Sequence, residues 1–311
     1  MASMIKREQA LDKLFSVLTF SAAFLVLAII VSIFISLFRE SLTAIDAFGF
    51  FGFISSTAWD PVRENFGAAT TLYGTLITTL LALAMAIPVA LGIAIFITEL
   101  CPKFLKPIFS TAIELLAAIP SIIYGMWGLF TFAPLMGEYV EPALQKVFEP
   151  IPLLGQLFTG VPLGIDILTT SIILSIMITP FISSIVRDTF ALTPVQLKES
   201  AYGIGATRWE VIKDVIIPHS KTGIFGSIII AMGRALGETM AVAFVLGNKH
   251  AIATSLFDAS ATITVTLANE FTEADTDLYL SSLYYLALIL LGMNFLLLAI
   301  AKTFLARKGK A

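Results

Sequence analysis

"KESAYGIGATRWEVIKDVIIP" occupies residues 198–218, a charged passage set between two long apolar runs. Upstream, 167–186 carries no charge, and downstream, 222–248 carries only Arg234 and Glu238. Glycines at 203 and 205 bracket a turn. Trp209, Val211, Ile212, Val215 and Ile216 recur at helical spacing beside Glu210, Lys213 and Asp214. The pattern describes two short amphipathic helices lying across a membrane face. Periodicity leaves two readings open: a connector resting in the headgroups, or a docking surface for a protein on that side.

The rest of the chain argues for the bilayer. Of 311 residues, 58% are hydrophobic and 13% charged, with a mean hydropathy of +0.93; a soluble domain carries roughly 25% charged residues. Roughly 20 apolar residues cross the hydrocarbon core as a helix. Cutting the chain at its charges gives six such spans, at about 14–38, 70–98, 113–137, 166–187, 223–247 and 278–302. The reading is therefore an all-α integral membrane protein, one transmembrane domain over 1–311 with no soluble domain. The first run is too long for the apolar part of a cleaved signal and reads as an anchor. A net charge of −3 gives no reason to expect a nucleic-acid partner. Cys101 is the single cysteine, so there is no internal disulfide.

Orientation follows from lysine and arginine, which are retained on the cytoplasmic side. With both termini inside, the inner segments hold fourteen basic residues and the outer ones four. The outer loops collect acid instead, including Glu270, Glu273, Asp275 and Asp277. The expected topology has both termini cytoplasmic and makes about 188–222 the largest cytoplasmic loop.

That loop carries a family resemblance. Glu199-Ser200-Ala201, three residues, Gly205, nine residues, then Val215-Ile216-Ile217-Pro218 is similar to the EAA loop of ABC-importer permeases, with serine at the second position. In that family the loop forms coupling helices seated in a groove of the ATPase. The resemblance places this role on Glu199, Ser200, Ala201, Tyr202, Gly203, Gly205 and Ala206. "IPSIIYGMWGLF" (119–130), "RDTFALTPVQLKESAYGIGATRWEVI" (187–212) and "GRALGETMAV" (233–242) together resemble the PstC-type permeases of phosphate importers. Sulfate and molybdate permeases usually place an aromatic and a glycine where this chain has Thr239-Met240. The resemblance implies a type I importer architecture in a bacterial inner membrane. It further implies a second homologous permease, two ATPase subunits that bind ATP and Mg, an extracytoplasmic phosphate-binding protein, and inorganic phosphate as cargo. No cofactor or metal is expected in this chain.

Arg234 and Glu238 need a separate account. In a continuous helix over 223–247, Arg234 falls near the bilayer centre, where it costs roughly 2.5–3.5 kcal/mol on insertion scales. Four residues apart, the two share a face with the small residues Ser227, Ala231 and Ala241 and can pair. One account is an ion pair locking helices together, with Gly233 and Gly237 giving close backbone approach. The other is a pathway element: arginine offers phosphate a planar donor fork, and Glu238 neutralises it between turnovers. The desolvation cost of two charges favours the second account, and the resemblance implies the same. Ser171, Ser175, Thr179 and Ser183 form a hydroxyl stripe, and Thr70, Thr71, Thr75, Thr78 and Thr79 a second cluster. Both read as helix packing or back-bonding to their own helix.

Enzyme chemistry finds no support. His219 and His250, the two histidines, sit at opposite ends of the fifth span, and no zinc-protease motif or nucleophile elbow is present. The chain contains no G-x-x-x-x-G-K-[ST] loop, so energy must come from a partner. The remaining alternatives are a sulfate or molybdate permease and an ion-coupled secondary transporter.

Overall fold

The computed structural model describes residues 2–152 and 154–308, with side chains described for 11–152 and 154–303. Lys6, Arg7, Arg307, Lys308 and Lys310, five of the basic residues assigned to the cytoplasmic termini, lie outside the described side chains.

Five helices are long and apolar enough to cross a membrane: Leu11–Glu40, Ala69–Leu100, Ile167–Ala191, Arg208–Leu236 and Asp277–Thr303. Where the third span was expected, a bent pair, Lys106–Ala118 and Ser121–Phe148, is long and apolar enough only when taken together and meets at 86°, the geometry of a broken span or a re-entrant loop. The bend falls inside the charge-free run expected to be one helix, and proline explains it. Pro120 excludes the helical region for the residue before it, and Ile119 is accordingly extended at φ −65°, ψ 128°. The Tyr124 hydroxyl donates to the Leu116 carbonyl across the bend (3.0 Å) and holds it. Among the described residues β structure is limited to a short antiparallel pair, Trp59–Asp60 with Asn65–Phe66, and one isolated bridge between Gly247 and Ser260.

The fourth-span helix, Ile167–Ala191, is the most buried span and forms the centre of the bundle. Ala82, Ala86, Ala90 and Ala94 repeat every four residues along the second span, so they line one face. They join Leu174, Met177, Ile178, Ile182 and Val186 of the fourth span in a single core. Small side chains permit this close packing, which is how membrane helices associate without a hydrophobic drive between them. The fifth span adds Ile224, Ala231 and Ala235 to the same core. The apolar window of the first span is unburied within the chain, so the helix stands at the edge of the bundle. Its end is tied down by buried Ser281, whose hydroxyl donates to the Glu40 carbonyl (2.6 Å) and accepts the Ala44 N–H (3.0 Å).

The hydroxyl stripe is committed to its own helix. Ser171, Ser175 and Thr179 each donate at 2.7 Å to the carbonyls of Ile167, Ile172 and Ser175, and Ser183 donates at 3.0 Å to Pro180. Thr71, Thr75 and Thr78 do the same in the second span. A hydroxyl has one hydrogen, so these groups have no donor left for an anion.

The loops expected outside knit into one cap. Leu256 N–H donates to the Leu157 carbonyl (2.8 Å), and the Ser255 hydroxyl lies 2.9 and 2.6 Å from the carbonyls of Leu157 and Thr159. Buried Glu270 accepts from Trp59 Nε1 and from the Tyr279 hydroxyl, both at 2.7 Å, and meets His250 Nε2 at 3.0 Å. Burial alone would raise the Glu270 carboxyl, but these three bonds outweigh it and hold it below its ordinary range.

A second buried acid behaves in the opposite way. Asp166 caps the fourth span by accepting the Thr169 N–H at 2.8 Å, and it is almost wholly buried with the carboxyl of Glu141 as its neighbour. Burial first, and Glu141 second, push Asp166 up to about 8. An unfolded aspartate loses its proton near pH ~3.9. The stabilising contribution of the bound proton is therefore complete below that pH and is lost as pH rises towards about 8. Thermal unfolding of the purified protein between pH 5 and 8.5 is expected to show a falling midpoint. Asp166→Asn keeps the helix cap and offers Glu141 a permanent donor, so its midpoint should vary less across that window.

Candidate translocation and coupling sites

The segment expected to couple begins where the fourth span ends, at Ala191. Pro194 precedes a helix over Val195–Gly203. The chain then turns through Gly205 at φ +91°, a conformation that side chains rarely adopt. Thr207 starts the next helix with a reciprocal cap: its hydroxyl accepts the Glu210 N–H (3.4 Å), and the Glu210 carboxylate accepts the Thr207 N–H (2.7 Å). That helix does not stop at the membrane face. It passes through a π-helical stretch, Val211–Ile216, into the fifth span, so Arg208–Leu236 is one continuous helical rod. The expected second amphipathic helix is thus the foot of the span itself. Val211, Ile212 and Ile216 are buried in the central core, whereas Trp209 is 62% exposed.

The residues assigned to coupling come together on one surface. Glu199, Ser200, Tyr202, Gly203 and Gly205 are exposed. Ala201 and Ala206 are half-buried against the core and seat the turn on the bundle. Ile204, at 89% exposure, and Trp209 stand out from it as apolar projections. Beside them lies a shallow cavity of about 400 Å³ lined by Ala201, Ile204, Gly205, Ala206, Glu210, Asp214 and Val215. A ridge of exposed apolar side chains next to an acid-lined hollow suits contact with another protein, because apolar patches rimmed by polar groups mark such sites.

Arg234 and Glu238 are not brought together. Instead of running to 247, the fifth-span helix ends at Leu236; Gly237 breaks it, and a new short helix begins at Met240. With the helix broken, four-residue spacing no longer places the two side chains on one face. No ion pair joins them among the described residues. The expected close approach at Gly233 is also absent within the chain, since a side chain built there meets nothing within 4 Å. Glu238 is buried, accepts the Ala241 N–H at 3.3 Å, and receives the Thr264 hydroxyl on its main-chain carbonyl at 2.7 Å. Its carboxylate thus starts the Met240–Val245 helix, where negative charge is favoured.

Arg234 is exposed in the last turn of its helix, where a cation suits the helix dipole. Its guanidinium carbon lies 5.7 Å from the ring centroid of Phe181 on the fourth span, so the ring props the cation without neutralising it. The sequence offered no sign of Phe181, which is one aromatic among 25 phenylalanines. The rod of 29 residues that ends just past Arg234 starts at the coupling turn. At 1.5 Å per residue, ~40 Å of one helix links the two candidate sites.

Residues 90–310 match the family described as the binding-protein-dependent transport system inner membrane component. The phosphate transport system permease protein PstC of Mesorhizobium japonicum is 52% identical over 97% of this chain and 92% of its own length. The protein of the same name from Haemophilus influenzae is 46% identical over 96% of each. Among solved structures, a chain of the inward-facing MetNI methionine ABC transporter superposes with a TM-score of 0.52 at 15% identity, covering 79% of this chain and 94% of that one. At that identity the likeness speaks for the fold alone.

Proposed function

This chain belongs to the binding-protein-dependent transport system inner membrane component family, and from that premise we propose that it is the phosphate-specific permease of an ATP-driven importer. The observation that carries the substrate is the 52% identity, over nearly the whole chain, to a phosphate permease. Membership of this family does not favour the ion-coupled alternative. The fold is that of a type I importer permease.

Arg234, exposed and unneutralised, presents its donor fork to phosphate in a pathway completed by a second, homologous permease. Glu238 shapes that site by fixing the helix break beside it, in place of the neutralising role expected from the sequence. The surface around Glu199–Ala206 rests on an ATPase, two copies of which bind ATP and Mg. An extracytoplasmic binding protein delivers phosphate to the opposite face. Both termini and the coupling segment lie in the cytoplasm of a bacterial cell, with the spans in its inner membrane. ATP binding draws the ATPases together, and the coupling turn, continuous with the fifth span, carries that movement towards Arg234.

Proteoliposomes holding the complete assembly are expected to accumulate labelled phosphate when ATP is supplied, with excess sulfate failing to compete. Accumulation of sulfate or molybdate in preference to phosphate would overturn the substrate assignment and leave the fold untouched.

A further inference from the structure

Besides the packing of Ala201 on the core, the coupling helix Val195–Gly203 is tied to the bundle by an ion pair. Lys198 Nζ lies 2.7 Å from Glu99 Oε1, with side-chain exposures of 21% and 15%. Among the described residues, no other ion pair or hydrogen bond ties this helix to another span. Glu99 is 99 positions away in sequence, in the last turn of the second span. That turn, Phe96–Leu100, is π-helical. Such turns are rare and are found frequently at functional sites.

The neighbourhood reinforces the second-span end. Lys106 donates to the carbonyl of Thr98, immediately before Glu99. Arg187, at the foot of the fourth span, pairs with Glu114 (3.0 Å) and Asp188 (2.8 Å). Glu99, Lys106, Arg187, Asp188 and Lys198 line one cavity of about 300 Å³. The second span then packs along the fourth, which carries the Phe181 ring beneath Arg234.

We propose that the Lys198–Glu99 pair is a coupling latch: it holds the ATPase-facing helix to the second span, so that movement of that helix pulls the second span with it. Lys198 and Glu99 are positioning residues, and the inference rests on the reading of 199–206 as the ATPase-docking surface. The half-buried setting makes the pair more than a surface ornament. Removing one partner leaves the other charge poorly solvated, whereas exchanging the two charges preserves the attraction.

The test uses the whole assembly in proteoliposomes and reads phosphate accumulated per ATP hydrolysed. Lys198→Glu and Glu99→Lys alone are each expected to lower that ratio about fivefold or more, while the double exchange recovers most of it. Glu99→Gln, nearly isosteric, guards against a folding defect and should lower the ratio with the ATPases still bound. Single variants with an unchanged ratio, or a double exchange no better than the singles, would show that the pair merely packs the loop. A wild-type permease that captures no ATPase would sink the docking reading, and the latch with it. Capture with normal hydrolysis but no dependence on the pair overturns the latch alone.

Discussion

An Arg234→Leu permease should assemble, bind its ATPases and transport phosphate at least ~100-fold more slowly than the wild type. The figure follows from two charge-assisted bonds to the anion at about 1.5 kcal/mol each, or ~3 kcal/mol in all. The expectation that folding survives comes from the structure. Among the described residues Arg234 has no carboxylate partner to be left behind, and it is exposed at a helix end. Leucine loses the favourable helix-dipole and ring contacts, at about 0.3–1 kcal/mol for the dipole at an exposed site, but also escapes the cost of a charge in the membrane. Arg234→Lys keeps the charge and loses the planar fork, so it should fall between the two. Initial rates of ATP-driven phosphate uptake decide the matter. Leucine at 234 with wild-type uptake would make the arginine a helix-end decoration.

The five long spans were legible because a bilayer demands long charge-free runs, and this chain has few charges to confuse them. What charge counting missed were two breaks inside apolar text. Pro120 bends the run expected to be the third span by 86°, and Gly237 ends the fifth-span helix ten residues before its expected end. The first is decided by backbone chemistry that hydropathy does not register, and the second falls between the run's two charges, Arg234 and Glu238, which were read as one helix face. The surface proposed for coupling was readable as a unit because its motif is local: the residues lie within eight positions, and the fold presents them together. Arg234 with Glu238 failed as a pair for the same reason that the helix failed, since i,i+4 neighbours exist only on a continuous helix. Lys198 with Glu99 and Arg234 with Phe181 are contacts between spans. No periodicity within one span encodes such a contact.

Gly205→Val is expected to strip the ATPases from the permease, and its argument is purely one of backbone. A side chain added at 205 would meet nothing within 4 Å, so no clash opposes it. The obstacle is φ +91°: a β-branched residue there is a genuine outlier, and holding it costs about 1–3 kcal/mol. The turn can escape that cost only by rearranging, and the rearrangement breaks the Ala206 N–H to Ala201 carbonyl bond (3.1 Å) and the Gly205 N–H to Tyr202 carbonyl bond (3.0 Å). Those bonds fix the angle between the Val195–Gly203 helix and the foot of the fifth span, and with it the spacing of Ile204 and Trp209 on the docking surface. Because the strained turn is exposed and the core residues Val211, Ile212 and Ile216 sit beyond it, the bundle itself should keep its thermal stability. Capture of the ATPase by affinity-tagged permease should drop ~10-fold or more, with Gly205→Ala, free of β-branching, less affected. Full capture by the valine variant would mean that the docking surface tolerates a reshaped turn, and that the geometry at Gly205 serves the chain and not its partner.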